Sequence, residues 1–96
     1  MEIVINECYG GFSLSKEAYE WLGLEWDGYG FKYSNNEQRT DPKLIECVKT
    51  LKEKADGRFA NLRVVKIPEE ATDWKLDEYD GAESIVCVID GKIKYL

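Results

Sequence analysis

The stretch Glu2-Ile3-Val4-Ile5-Asn6-Glu7-Cys8-Tyr9-Gly10-Gly11-Phe12-Ser13-Leu14-Ser15 decides how the rest of the chain reads. Three consecutive β-branched residues, Ile3 to Ile5, leave no polar position on either side, which is the pattern of a central strand buried on both faces. The glycine pair breaks that strand. Ser15 then supplies an N-cap for a helix over Lys16 to Leu22, with Leu14 and Tyr19 at the two ends of a hydrophobic staple and Gly23 as the stop.

Working outward, residues 24–40 interleave Trp26, Tyr29, Phe31 and Tyr33 with Gly28 and Gly30, and a short strand over residues 29–33 is expected there. Asp41-Pro42 opens the next helix, Asp at the N-cap and Pro at the first helical position. Leu44, Cys47, Val48, Leu51 and Ala55 then recur at helical spacing until Asp56-Gly57. Beyond Arg58 the pattern turns to strands: residues 62–67 up to Pro68, the alternation around Trp74 and Leu76, residues 84–89, and residues 92–96. Asp80-Gly81 and Asp90-Gly91 are hairpin signals between the last three. The fold expected is α+β, one domain over residues 1–96 with one core. It has a small mixed sheet of about four to five strands, two helices packed on one face, and a C-terminal antiparallel meander. Strands 2–7 and 62–67 would pair in parallel through a right-handed crossover.

Composition narrows the function classes. Nineteen acidic against thirteen basic residues give a formal net charge of −6, which opposes binding to a nucleic-acid polymer. The first residues, with an acid at Glu2 and a short apolar run, resemble neither a signal peptide nor a membrane span, so a cytoplasmic protein without a membrane partner is expected. Three widely spaced cysteines, Cys8, Cys47 and Cys87, form no C-x-x-C pair and are expected to be reduced. Histidine is absent, which removes the commonest general base and every His-ligated metal site. No cofactor motif is present, and the chain reads more readily as a binding protein than as an enzyme.

The sharpest local feature is strand, glycine loop, helix. Glycines let main chain approach a ligand closely, and free amides at a helix start attract anions. Cys8, Tyr9, Gly10, Gly11, Phe12, Ser13 and Ser15 therefore form the candidate ligand loop, although the same stretch also reads as a plain tight turn with an ordinary cap. Arg39, whose guanidinium could grip a carboxylate or phosphate in a bidentate fashion, and the turn carrying Glu78 and Tyr79 complete the candidate site. Cys8 is also the best placed nucleophile, but no histidine is there to activate it. The acids Asp77, Glu78, Asp80 and Glu83, with Glu69, Glu70 and Asp73, lack cation-loop spacing and read as a solvated face, with no metal site. The aromatics between Trp21 and Tyr33 could stack on a base, meet a protein, or close a small core.

The run C-Y-G-G-F-S-L-S resembles the opening of a group of small phage, prophage and bacterial proteins whose activities are not settled. The similarity extends to Arg39-Thr40-Asp41-Pro42-Lys43-Leu44-Ile45, Gly57-Arg58-Phe59-Ala60 and Glu78-Tyr79-Asp80-Gly81-Ala82-Glu83, while residues 84–96 depart from it. The resemblance implies an accessory role, such as countering host defence. Two partners follow as expectations: an anionic small molecule, a nucleotide among them, at the glycine loop, or a host protein met by the acidic surface. Oligomeric state is not readable from the residues.

Overall fold

Ile3, Val4, Ile5 and Asn6 are all essentially without solvent exposure, and the strand that holds them, β1 (Glu2–Asn6), lies between two apolar clusters. A computed structural model describes residues 1–96. After β1 come α1 (Lys16–Leu22), a 3-10 turn (Asn36–Thr40), α2 (Pro42–Leu51), a second 3-10 turn (Lys52–Ala55) and β2 (Leu62–Lys66). The chain ends with β3 (Asp73–Tyr79), β4 (Ala82–Ile89) and β5 (Lys92–Tyr95).

The local signals act as their chemistry dictates. Ser15 Oγ accepts from the Ala18 amide and Gly23 closes α1 in the left-handed region, φ 74°. Leu14 and Tyr19, the two ends of the staple, are both buried. Asp41 caps α2 through Lys43 N at 2.8 Å, with Pro42 in its first turn. Asp80-Gly81 and Asp90-Gly91 each place two successive residues at positive φ, the backbone of a tight two-residue hairpin, so β3, β4 and β5 form an antiparallel meander.

Three expectations are corrected. β1 and β2 pair antiparallel, Val4 opposite Val64 and Ile3 opposite Val65, not in parallel. The crossover rule sets the handedness of connections between strands that are already parallel and does not set direction; residues 7–61, with two helices and two 3-10 turns, bring the chain back beside β1 running the opposite way. The strands form two sheets, β1-β2 and β3-β4-β5, both antiparallel, in place of one mixed sheet. Finally, residues 29–33 make no strand: Gly28, Gly30 and Tyr33 stand at φ 86°, 85° and 68°, incompatible with extended pairing.

Because successive side chains of a strand point to opposite faces, β1 serves two cores where one was expected. Val4 faces Phe12, Leu14, Tyr19, Leu44 and Cys47 on the helical side. Ile3 and Ile5 face Val65, Ile67 and Ile85, which join β1-β2 to the meander. Both helices thus cover one face of the small sheet, and the meander covers the other. No helix is long and apolar enough to cross a membrane.

Candidate functional site

The loop between β1 and α1 is fixed by polar side chains inside the protein. Asn6, fully buried, donates from Nδ2 to the carbonyls of Cys8 (2.7 Å) and Gly81 (2.8 Å), and its Oδ1 accepts from the amides of Cys8 (3.3 Å) and Asn61 (2.8 Å). All of its hydrogen-bonding capacity is used within the fold. Its own amide donates to Glu83 Oε1 at 2.8 Å.

Glu83 also receives the guanidinium of Arg39 in a two-pronged pair, 2.6 Å from Nη1 and 2.7 Å from Nη2, with the two side chains 2% and 7% exposed. The remaining Arg39 donors reach the carbonyls of Val4, Tyr33 and Ser34, and the guanidinium carbon lies 3.7 Å from the centre of the Phe12 ring. All five N–H groups are therefore spent internally. Arg39 is removed from the ligand site by this geometry, and Phe12 forms the cushion beneath it.

Past Phe12 the main chain becomes a floor. Leu14 N donates to Gly30 O at 2.8 Å, Ser15 N to Ala55 O at 2.9 Å, and Gly57 N to Ser13 O at 2.9 Å. These three bonds stitch two separate loops to the floor, residues 26–31 on one side and residues 56–59 on the other. Between the loops opens a cleft of about 480 Å³, walled by Trp26, Tyr29 and Phe31 opposite Arg58 and Phe59, with Gly10, Ser13 and Lys16 at its base. Glycine is required where the walls meet the floor. A Cβ at Gly10 would fall 2.2 Å from Phe59 Cβ, and one at Gly57 2.0 Å from Ser13 Oγ.

One wall is held by Asp27. Its Oδ1 accepts from the amides of Tyr29 and Gly30, both at 2.8 Å, and its Oδ2 from Tyr19 OH at 2.9 Å, while Tyr19 OH accepts from Lys32 N. The Gly30 and Tyr29 amides favour the carboxylate and hold Asp27 below its ordinary pKa. Burial pushes the Tyr19 phenol up instead, so it stays neutral and remains a donor. Tyr29 and Phe31 lie nearly parallel, 6.2 Å between ring centres and 11° between planes, and Trp26 meets Tyr19 edge-on at 5.0 Å.

The charged side chains lining the cleft are two cations and one carboxyl group, in a chain that is acidic overall. Lys16 and Arg58 are these cations and, like eight of the other eleven basic residues, form no ion pair. The carboxyl group, Asp56, accepts from Leu62 N at 3.0 Å and is pushed above its ordinary pKa by burial. Nearby, the amides of Tyr9, Gly10, Gly11, Phe12 and Ser13 donate no hydrogen bond within the protein.

Of the residues expected to form the site, Gly10, Ser13 and Ser15 line the cleft. The Ser15 hydroxyl is already engaged, accepting from Ala18 N and donating to Lys54 O. Cys8 is half-buried beside Asn6, and Tyr9 is exposed outside the cleft with its carbonyl against Gly81. Gly11 lies against the same turn. Glu78 accepts from Gly81 N at 3.3 Å and Tyr79 is exposed, so neither enters the cleft. The helix start contributes little, because α1 has only seven residues. Lys16, Arg58 and Phe59 were missed. The signal for the last two is Gly57-Arg58-Phe59, a glycine followed by a cation and an aromatic, matching the aromatic-glycine alternation of residues 26–31; Lys16 has none beyond its place after the Ser15 cap.

The acidic residues form no group of three or more that could hold a metal ion. Comparison with known proteins finds no match: no family model, curated protein or solved structure matches the chain.

Proposed function

We propose that the chain is a binding module for an anionic small molecule, held in the cleft between residues 26–31 and 56–59 over the floor of residues 13–15. The observation that carries this reading is one open cleft whose lining brings two cations, Lys16 and Arg58, against a single carboxyl group, Asp56, beside the rings of Trp26, Tyr29, Phe31 and Phe59, on a chain of net charge −6. The two cations outnumber the one acid of the lining, so the local fixed charge favours an anion although the chain as a whole is acidic. The cleft volume of about 480 Å³ suits a small molecule. Of the free amides of residues 9–13, those of Gly10 and Ser13, which line the cleft, add donors that need no side chain. Nothing in the cleft pairs a base with a nucleophile, which favours binding over catalysis. The phage or prophage setting implied by the C-Y-G-G-F-S-L-S resemblance fits an accessory protein in the cytoplasm that withdraws a ligand from other proteins.

The test is thermal unfolding at low salt with pyrophosphate, ribose 5-phosphate and nucleoside monophosphates. A ligand binding only the native state raises the melting temperature, by about 2.7 kcal/mol of stabilisation at a hundredfold excess over Kd. The reading expects a rise with at least one of these probes, lost in Lys16→Ala/Arg58→Ala. No rise with any probe, or the same rise in the double variant, contradicts it.

A second reading, an acidic inhibitor of a host protein, is favoured by the exposed corner Asp77, Glu78, Tyr79 and Asp80, where an aromatic 73% exposed stands among acids. Its mark would be a complex that weakens with salt and with Tyr79→Ala but not with Arg58→Ala.

A further inference from the structure

We propose that the ligand of this cleft is a nucleotide whose base stacks on the exposed aromatic walls while its phosphate meets Lys16 and Arg58; this rests on the anion reading above. Large exposed apolar rings are costly on a small acidic protein, and contiguous ones mark a binding surface. Trp26, Tyr29, Phe31 and Phe59 are 37%, 72%, 59% and 65% exposed, and all four border the cleft that Lys16 and Arg58 also line. An inorganic anion would use the cations and leave the rings in water. A purely apolar guest would use the rings and leave Lys16 and Arg58 unmatched. A planar base joined to a phosphate uses both halves, since every base has a face for stacking and every phosphate accepts from ammonium and guanidinium groups.

The walls are set in advance of any guest. Asp27 fixes the Tyr29–Gly30 turn through two amides, Leu14 N holds Gly30 O, and Gly57 N holds Ser13 O, so both walls are tied to one floor. Prior ordering lowers the entropic cost of closing on a ligand. Asp56 adds an acceptor at the cleft, with Oδ1 held by Leu62 N, suited to a base amino group. A polymer is disfavoured by the charge of −6 outside the cleft, so a single nucleotide is the unit recognised.

The experiment is calorimetric titration of the intact chain with AMP, GMP, CMP and UMP, and with ribose 5-phosphate and adenosine as the two halves. At least one monophosphate is expected to bind on the order of tenfold or more tighter than ribose 5-phosphate, the factor one stacked base supplies. Tyr29→Ala and Phe59→Ala, both at exposed positions, are expected to erase that advantage while leaving ribose 5-phosphate binding within about twofold and the melting temperature of the free protein unchanged. Nucleotides and ribose 5-phosphate binding alike would overturn the nucleotide assignment and leave the anion reading standing. Adenosine binding as tightly as AMP, or no binding by any probe, would overturn both.

Discussion

The fold depends on one charged residue placed where charge is least expected. Arg39 sits at 2% exposure with every donor occupied, and Glu83 carries the opposing charge while also receiving the Asn6 amide. Removing either partner leaves the other buried and unpaired, at a cost of about 3–5 kcal/mol against a total stability of about 5–15 kcal/mol for a domain. Glu83→Ala and Arg39→Ala are each expected to lower the melting temperature by 12 °C or more, by roughly 4–8 °C per kcal/mol; a change under about 4 °C in circular-dichroism melts would contradict this. Cysteine reactivity follows from burial in the same way. Cys47 is fully buried and its thiol is pushed up to about 11, Cys87 is fully buried, and Cys8 is half-buried. Mass spectrometry after brief alkylation at neutral pH should find one modification, at Cys8, and three only after denaturation.

Among the elements, the turn that joins β3 to β4 does more than reverse the chain. Gly81 stands at φ 89°, and a Cβ there would fall 2.6 Å from Tyr9 O, whereas Gly91, at φ 74° in the next hairpin, faces open space. Gly91→Ala carries backbone strain alone and Gly81→Ala carries strain plus a clash with the ligand loop. The first is expected to cost about 1 kcal/mol and the second about 2–3 kcal/mol in urea unfolding; equal losses would separate the hairpin from the loop. The 27–30 turn has its own pH signature. Asp27 has a lowered pKa in the folded state, so its contribution is complete above the ordinary carboxylate value of about 3.9 and is lost as pH falls through the lower folded value. In a Trp21→Phe/Trp74→Phe variant the remaining Trp26 fluorescence is therefore expected to stay level from pH 7 to about 4 and to change below it; a transition centred above about pH 5 would contradict the Asp27 geometry. These elements differ in how openly the sequence displays them. Asp41-Pro42, Asp80-Gly81 and Asp90-Gly91 signal their caps and turns through local chemistry alone. The 27–30 turn carries the same local signal, Asp27-Gly28 with Asp27 Oδ1 accepting from the Tyr29 and Gly30 amides, but its tie to the core, Tyr19 OH donating to Asp27 Oδ2 at 2.9 Å, comes from eight residues away and no local pattern records it.

At the scale of the molecule, β1 was readable as doubly buried, and the α+β fold with its C-terminal meander followed from that and from the hairpin signals. Strand direction and the division into two sheets did not, since pairing is decided by how residues 7–61 pack and no local pattern records that. The candidate site was half legible for a similar reason. Gly10, Ser13 and Ser15 advertise themselves beside a strand end, but the cleft exists only because Leu14, Ser15 and Gly57 tie residues 30 and 55–57 to the same floor. Arg39 misled because an isolated arginine reads as a surface cation until the acid 44 positions away is brought against it.

In the proposed binding mode the anionic guest sits between the aromatic walls, with Lys16 at the start of α1 as one of its cations, and not at the acidic turn around residues 77–83. The most direct measurement is amide chemical-shift mapping of the chain titrated with the tightest-binding of the four monophosphates. Saturable shifts confined to residues 10, 13–16, 26–31 and 56–59 are expected, with β5 and the Glu69–Glu70 segment unmoved. Shifts centred on residues 77–83, or spread evenly over the surface without saturation, would contradict it.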